Sequence, residues 1–268
     1  MRKIKEGFTL IEILFVIIII GIIAAVVIVN LAQSSKDKAR IAKGKAYSDS
    51  IRAKGQIEEA TVSYWNFDNN TNDSWGMYNA QWNGTPSYTA GVNGAGSALN
   101  LNGSNSVYVA VPSGTALDIT SEIVTIEAWI KPNDITTLDQ GIVDRGSLGS
   151  NGYGMSLNGA IVRIGRHGCG APGSSTSLNI GKWYHLVGVL NGANSAIYIN
   201  GNLDNTGNIS SGCMTSNSNN LTIGGQSGFN YFNGLIDDVR IYKDKVLTAQ
   251  QIQQRYAEFA PSHQIAVK

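Results

Sequence analysis

The run from Phe8 to Val29 constrains this chain more than any other stretch. It is apolar almost throughout, yet Glu12 stands near its start. Its length, about 22 residues or roughly 33 Å of helix, is enough to cross the hydrocarbon core of a bilayer. A lone charge in that setting costs about 3 kcal/mol or more, so such residues are rare and usually functional. A carboxylate there is tolerable where a cation is brought beside it in the apolar surroundings, since pairing offsets the burial cost. A secretory signal peptide has a short apolar core and an A-x-A-like cut, whereas here Ala24-Ala25 is a weak cut site. A plain membrane anchor leaves Gly7, Phe8 and Glu12 without a role. Charge bias does not orient the span, because Arg2, Lys3 and Lys5 flank one end while Lys36, Lys38, Arg40, Lys43 and Lys45 lie beyond the other.

The segment Lys5-Glu6-Gly7-Phe8-Thr9-Leu10-Ile11-Glu12, with the apolar run behind it, resembles the cleavage site of the type IV pilin and pseudopilin family. The resemblance implies a leader, residues 1–7, removed between Gly7 and Phe8 by a prepilin peptidase, and methylation of the new Phe8 terminus. It assigns Glu12 to assembly, opposite Phe8 of a neighbouring subunit. It also orients the chain, with its C-terminal domain outside the cytoplasmic membrane. Implied partners are copies of the chain, other pilins, the pilus assembly machinery and, before assembly, the membrane. A helical pattern continues to Glu59 through Ile41, Ala42, Ala46, Tyr47, Ile51 and Ile57, although Gly44 and Gly55 weaken it. The expected stalk is therefore 8–59, with 8–29 as transmembrane segment and later filament core, about 78 Å long if continuous.

Beyond the stalk the character changes. Charged residues are 15% of the chain and glycine numbers 31, a composition suited to a turn-rich β domain with a polar, weakly charged surface. The net charge of +1 falls to near −1 when Arg2, Lys3, Lys5 and Glu6 leave with the leader. No nucleic-acid partner is indicated by that balance. Cys169 and Cys213 are most simply a disulfide in an exported domain. The other reading, His167-Gly168-Cys169 as half of a zinc site, lacks further ligands at a recognisable spacing.

After Ala60 the period becomes alternating. Strands are expected over 61–67, 106–111, 124–130, 160–164, 183–190, 196–199 and 235–242. Asn-Gly pairs punctuate them, and Asn158-Gly159 and Asn200-Gly201 give the clearest hairpins, since both residue types tolerate positive φ. The expected fold class is mainly β with one long N-terminal helix, the β part a sandwich or jelly roll. Tyr64-Trp65-Asn66-Phe67-Asp68, Val124 to Pro132, Gly181-Lys182-Trp183-Tyr184-His185 and Phe232 to Tyr242 follow in order. Together they resemble the laminin-G-like, concanavalin A-like jelly roll over 60–260, leaving 261–268 as a tail. Thr248-Ala249-Gln250-Gln251 forms a capping box for a short helix ending near Phe259.

Three chemistries were weighed for this domain. Catalysis is not expected: Glu122 and Glu127 are five apart, so in a regular strand they face opposite sides, and His185 alternates with Trp183, Val187 and Val189 as a packed residue. The resemblance implies a structural Ca²⁺, for which Asp68, Asp237 and Asp238 are the candidate ligands and Asp73 a further one. Asn105-Ser106 departs from the acidic residues that the family often carries there. Glycan binding would need aromatic surfaces among amides; Trp75, Tyr78, Trp82 and Tyr88 cluster in one loop region, and Phe229 and Tyr231 in another. The expected function is a pilin or minor pilin precursor that polymerises and displays this domain for adhesion. A type II secretion pseudopilin and a membrane-anchored glycan-binding protein that does not polymerise are the alternatives.

Overall fold

The computed structural model describes residues 10, 14–15, 17–20, 35–36, 38–46, 55, 58–146, 151–225 and 230–259. Gly7, Phe8, Glu12, Phe229 and the tail lie outside them. The chain divides into two units, 1–55 and 56–268. In the first, the described residues are helical, and Leu10, Leu14, Phe15 and Ile17 to Ile20 all expose about half or more of their surface. Among the described residues no helix is long and apolar enough to cross a membrane.

The second unit is mainly β. Its strands are β1 Thr61–Trp65, β2 Gln81–Asn83, β3 Tyr88–Ala90, β4 Ser97–Asn102, β5 Tyr108–Val111 and β6 Ile123–Pro132. Then come β7 Gln140–Arg145, β8 Tyr153–Asn158, β9 Ile161–Arg166, β10 Gly173–Ser177 and β11 Tyr184–Asn191. The last are β12 Asn194–Ile199, β13 Asn202–Asn208, β14 Leu221–Ile223, β15 Asn230–Tyr231 and β16 Asn233–Lys243. They form a jelly roll of two eight-stranded sheets. One runs β13-β12-β11-β6-β16-β4-β3, with β1 also on β16; the other runs β10-β9-β8-β7-β14-β5-β2, with β15 on β7. Alternation sends Val124, Ile126, Ala128 and Ile130 of β6 inward, against Val109, Ile142, Met155, Val162 and Ile164 of the other sheet. Removing each such side chain from water contributes about 1.5–3 kcal/mol, which is what holds the sheets together.

The hairpins follow the local chemistry. Ile199 pairs with Asn202, and the two residues between them, Asn200 and Gly201, both have positive φ, as a turn matching the strand twist requires. Asn158 instead closes its hairpin, and the turn is Gly159-Ala160. The expected strands shift by a few residues at their ends. Strands β2, β3, β4, β7, β10, β13 and β14 were not expected. Several of these are too short or polar to alternate, and they are held by their neighbours' ladders instead of by pattern. The helix Ala249–Phe259 starts with the expected capping box: Gln251 N–H donates to Thr248 Oγ1 (3.2 Å), and Thr248 N–H donates to Gln251 Oε1 (2.9 Å). It lies across the outer face of the β6-bearing sheet, with Tyr256 stacked on Trp129 and Ile252 packed with Val187, Val189, Tyr242 and Leu247.

Candidate functional site

Among the described residues, no helix covers the outer face of the second sheet. Asp144, Gly154 and Gly165 stand side by side on β7, β8 and β9, and in the next row Gly141, Ser156, Arg163 and Gly173 do the same. Glycines in these rows are a steric necessity: a Cβ on Gly154 would come within 2.6 Å of Asp144 Oδ1, and one on Gly165 would strike the 170–171 backbone. The result is a flat floor under a cavity of about 280 Å³, lined by Asp139, Asp144, Ser156, Arg163, Arg166 and His167.

The polar groups of this cavity are fixed from behind. Asp144 Oδ1 lies 2.7 Å from His167 Nε2, and both side chains are nearly buried. Arg163 donates to Asp139 (3.3 Å). Arg166 donates to the carbonyls of Glu122 (2.8 Å) and Ser210 (3.1 Å) and faces the Glu122 carboxylate at 3.6 Å. Burial lowers the Arg166 pKa, and the Glu122 charge opposes that shift. The turn carrying His167 is closed by Arg166 N–H to the Gly170 carbonyl (3.1 Å). It is stapled by a disulfide from Cys169 to Cys213, whose Cα atoms are 6.1 Å apart. The bridge was expected from the sequence; its place beside this cavity was not.

A second polar corner forms where β16 changes partners. Ile236 pairs with Leu99 of β4 and Val239 with Trp65 of β1, so Asp237 and Asp238 fall in the gap, with Asp238 at positive φ. Asp237 Oδ2 accepts from Val92 N–H (3.1 Å) and Asp68 Oδ1 from Ser97 N–H (2.9 Å), so both carboxylates face the 91–97 loop. Burial, then the Asp238 charge and to a lesser degree Asp68, push Asp237 up to about 8. Both effects disfavour the ionised form of the carboxyl. Asp238 is engaged elsewhere: Tyr64 donates to it, and Arg240 lies 3.4 Å away. Asp73 accepts from the backbone N–H of Tyr64, Trp75 and Tyr78, all at 3.0 Å, and so organises a loop. Among the described residues, no group of three or more His, Cys, Asp or Glu is arranged to hold a metal.

The other sequence candidates are dispersed. Tyr78 packs against the core and receives Ala116 N–H (3.1 Å); Trp82 sits edge-on to Tyr88; Trp75 stands half exposed by Tyr64 and Arg240. Glu127 is fully buried under the helix, 3.1 Å from His185 and 3.4 Å from both Arg240 and Arg255. Burial pushes its carboxyl up, but Arg255, Arg240 and His185 outweigh this and hold it well below the usual range.

The two-sheet topology and open polar face are those of a lectin-type jelly roll, and residues 102–253, more than half of the chain, match one such group. The chain belongs to the concanavalin A-like lectin/glucanases superfamily. Residues 2–28 match the prokaryotic N-terminal methylation motif, the type IV pilin signal. No curated protein matches the chain significantly. Among solved structures, the concanavalin A-like domain is similar to domain 4 of AbnA, a GH43 extracellular arabinanase from Geobacillus stearothermophilus, in complex with arabinotriose. Identity is 21% and the TM-score 0.57, over 72% of this chain and 97% of that one. The binding domain of Paraclostridial Mosquitocidal Protein 1 matches at 14% identity and TM-score 0.62 over 76% of this chain. The botulinum neurotoxin serotype C1 binding domain matches at 17% and 0.61, also over 76%. The chain spans about half, 53%, of each of those two binding domains. These likenesses establish the fold.

His167 was singled out only as half of a zinc site, and its meeting with Asp144 escaped sequence reasoning because the two are 23 positions apart and meet only through the β7-β8-β9 pairing. Single glycines inside β8 and β9 were the available signal, since glycine in a strand marks close approach.

Proposed function

We propose that this chain is the precursor of a type IV pilin-like subunit that presents a carbohydrate-binding domain at the cell surface. The leader 1–7 is removed after Gly7, Phe8 is methylated, and the stalk 8–59 holds the chain in the membrane until it joins a filament. Glu12 pairs with Phe8 of a neighbour there. The observation that carries this reading is the union, in one chain, of the methylation motif at 2–28 with a lectin-type jelly roll. The exposed Leu10, Leu14, Phe15 and Ile17 to Ile20 support it, since such a surface needs lipid or other stalks around it. Prepilin peptidase, other pilins and the assembly machinery are the implied partners.

The domain, 60–260, binds sugar hydroxyls in the cavity over β7–β9. Asp144 accepts from hydroxyl groups, held in place by His167, while Ser156 and Arg163 donate and the glycine floor admits a ring. The arabinotriose in the arabinanase domain of the same fold supports a saccharide ligand. Asp68 and Asp237 would hold a Ca²⁺, which neutralises the corner between β1, β4 and β16. Mass spectrometry of fibres sheared from cells tests the filament assignment. A terminal peptide beginning at N-methylated Phe8 is expected. An intact leader on surface material would instead mean a membrane-anchored binding protein that does not polymerise.

A further inference from the structure

On the outer face of the other sheet, beside the helix, three strands line up their side chains in register. Asn191 pairs with Asn194 and Asn194 with Asn208, giving a row of three amides. One row along, Val189 pairs with Ala196 and Ala196 with Thr206, giving a shallow and mostly apolar floor. Tyr198, opposite Val187, stands in the third row. Val246 and Leu247, from the segment between β16 and the helix, form a further wall. Together they enclose a cavity of about 420 Å³, larger than the one over β7–β9, and no charged side chain lines it.

We propose that this cavity is a second, separate carbohydrate site, selective for uncharged sugars. The argument is chemical. A pyranose presents an apolar C–H face and a rim of hydroxyls that both donate and accept. The Val189–Ala196–Val246 floor meets the first, and the amide row meets the second, because each amide offers two donors and an acceptor. Asn191, Asn194, Asn208 and Tyr198 make no side-chain hydrogen bond among the described residues, so their capacity is available to a ligand. A carboxylated sugar would find no charged side chain in the lining to balance it, so its desolvation would go largely uncompensated. The two sites lie on opposite sheets, so a single domain would bridge two glycan strands, and a filament of such domains would multiply that avidity.

The test uses the full chain in a non-glycosidic detergent, in an Asp144→Ala background so that the cavity over β7–β9 is silenced. A panel of neutral tri- and tetrasaccharides and their uronic acid counterparts is titrated at up to about 1 mM. Neutral members should bind and acidic ones should not. Asn194→Asp with Asn208→Asp, both on exposed positions and nearly isosteric, should weaken neutral binding at least tenfold. Ala196→Trp, which fills the floor, should abolish it. No neutral binding in that background, equal binding of acidic sugars, or indifference to the Asn→Asp pair would each overturn the proposal. Failure here leaves the β7–β9 site to be judged separately, in the Asn→Asp background.

Discussion

The two sheets of the jelly roll both carry charge on their outer faces, and they use it in opposite ways. Over β6, β11 and β16 the helix Ala249–Phe259 closes the face, burying Glu127 among Arg240, Arg255, His185 and Tyr242. Over β7, β8 and β9 no helix closes it among the described residues, and Asp144, His167 and Arg163 line a cavity. The same residue types are therefore fastening in one place and available to a ligand in the other. What separates them is the setting: Glu127 is sealed under the helix and shared by two guanidinium groups, whereas the Asp144–His167 pair, also nearly buried, borders a cavity.

The comparison breaks most sharply at Glu127. Glu127→Ala leaves two buried guanidinium groups without their shared partner, and unfolding free energy should fall by about 3–5 kcal/mol in a denaturant titration. Asp144→Ala, which removes the partner of one histidine and strands no guanidinium group, should cost less. Next comes the bridge: Cys169→Ser with Cys213→Ser opens a loop of 44 residues and should cost about 2–4 kcal/mol. It should also weaken sugar binding, because Cys169 anchors the turn that carries His167.

A third prediction concerns Asp237. Folded, it keeps its proton up to about pH 8; unfolded, it titrates near the ordinary 3.8. The folded state thus binds more protons across that window, so the metal-free protein should lose stability as pH rises from about 4 to about 8. Ca²⁺ should remove that slope and raise the unfolding free energy most at the alkaline end, by about 2.7 kcal/mol at 100 times its dissociation constant. A pH profile unchanged by EDTA would argue against a cation there. Smallest in free energy is Gly154→Ala, whose Cβ meets Asp144 Oδ1. It should displace Asp144, lowering sugar affinity about tenfold, or about 1.4 kcal/mol, and lowering Tm as well.

Much of the architecture was legible in the sequence. The alternation in 124–130 and 235–242 marks β6 and β16, the central pair of their sheet, because a strand that turns one face to the core alternates apolar with other residues. Asn200-Gly201 and the capping box at Thr248 were read from local backbone chemistry alone. The polar β13, Asn202–Asn208, was not readable: at an edge it needs no apolar face, and only its ladder to β12 makes it a strand. Sites fared worse than elements for a related reason. Asp237 and Asp238 look like one carboxylate pair, yet a break in β16 pairing gives one to the 91–97 loop and the other to Tyr64 and Arg240. Trp75, Tyr78 and Trp82 are close in sequence, yet each has different surroundings.

Hydrogen–deuterium exchange of the full chain, with and without a neutral trisaccharide panel that includes arabinotriose, tests the ligand face most directly. At least one sugar should slow exchange in 153–168, and Asp144→Ala should erase that protection while the 123–132 strand stays as protected as before. Protection absent from 153–168 with every sugar, or unchanged in Asp144→Ala, would contradict the assignment of the open face.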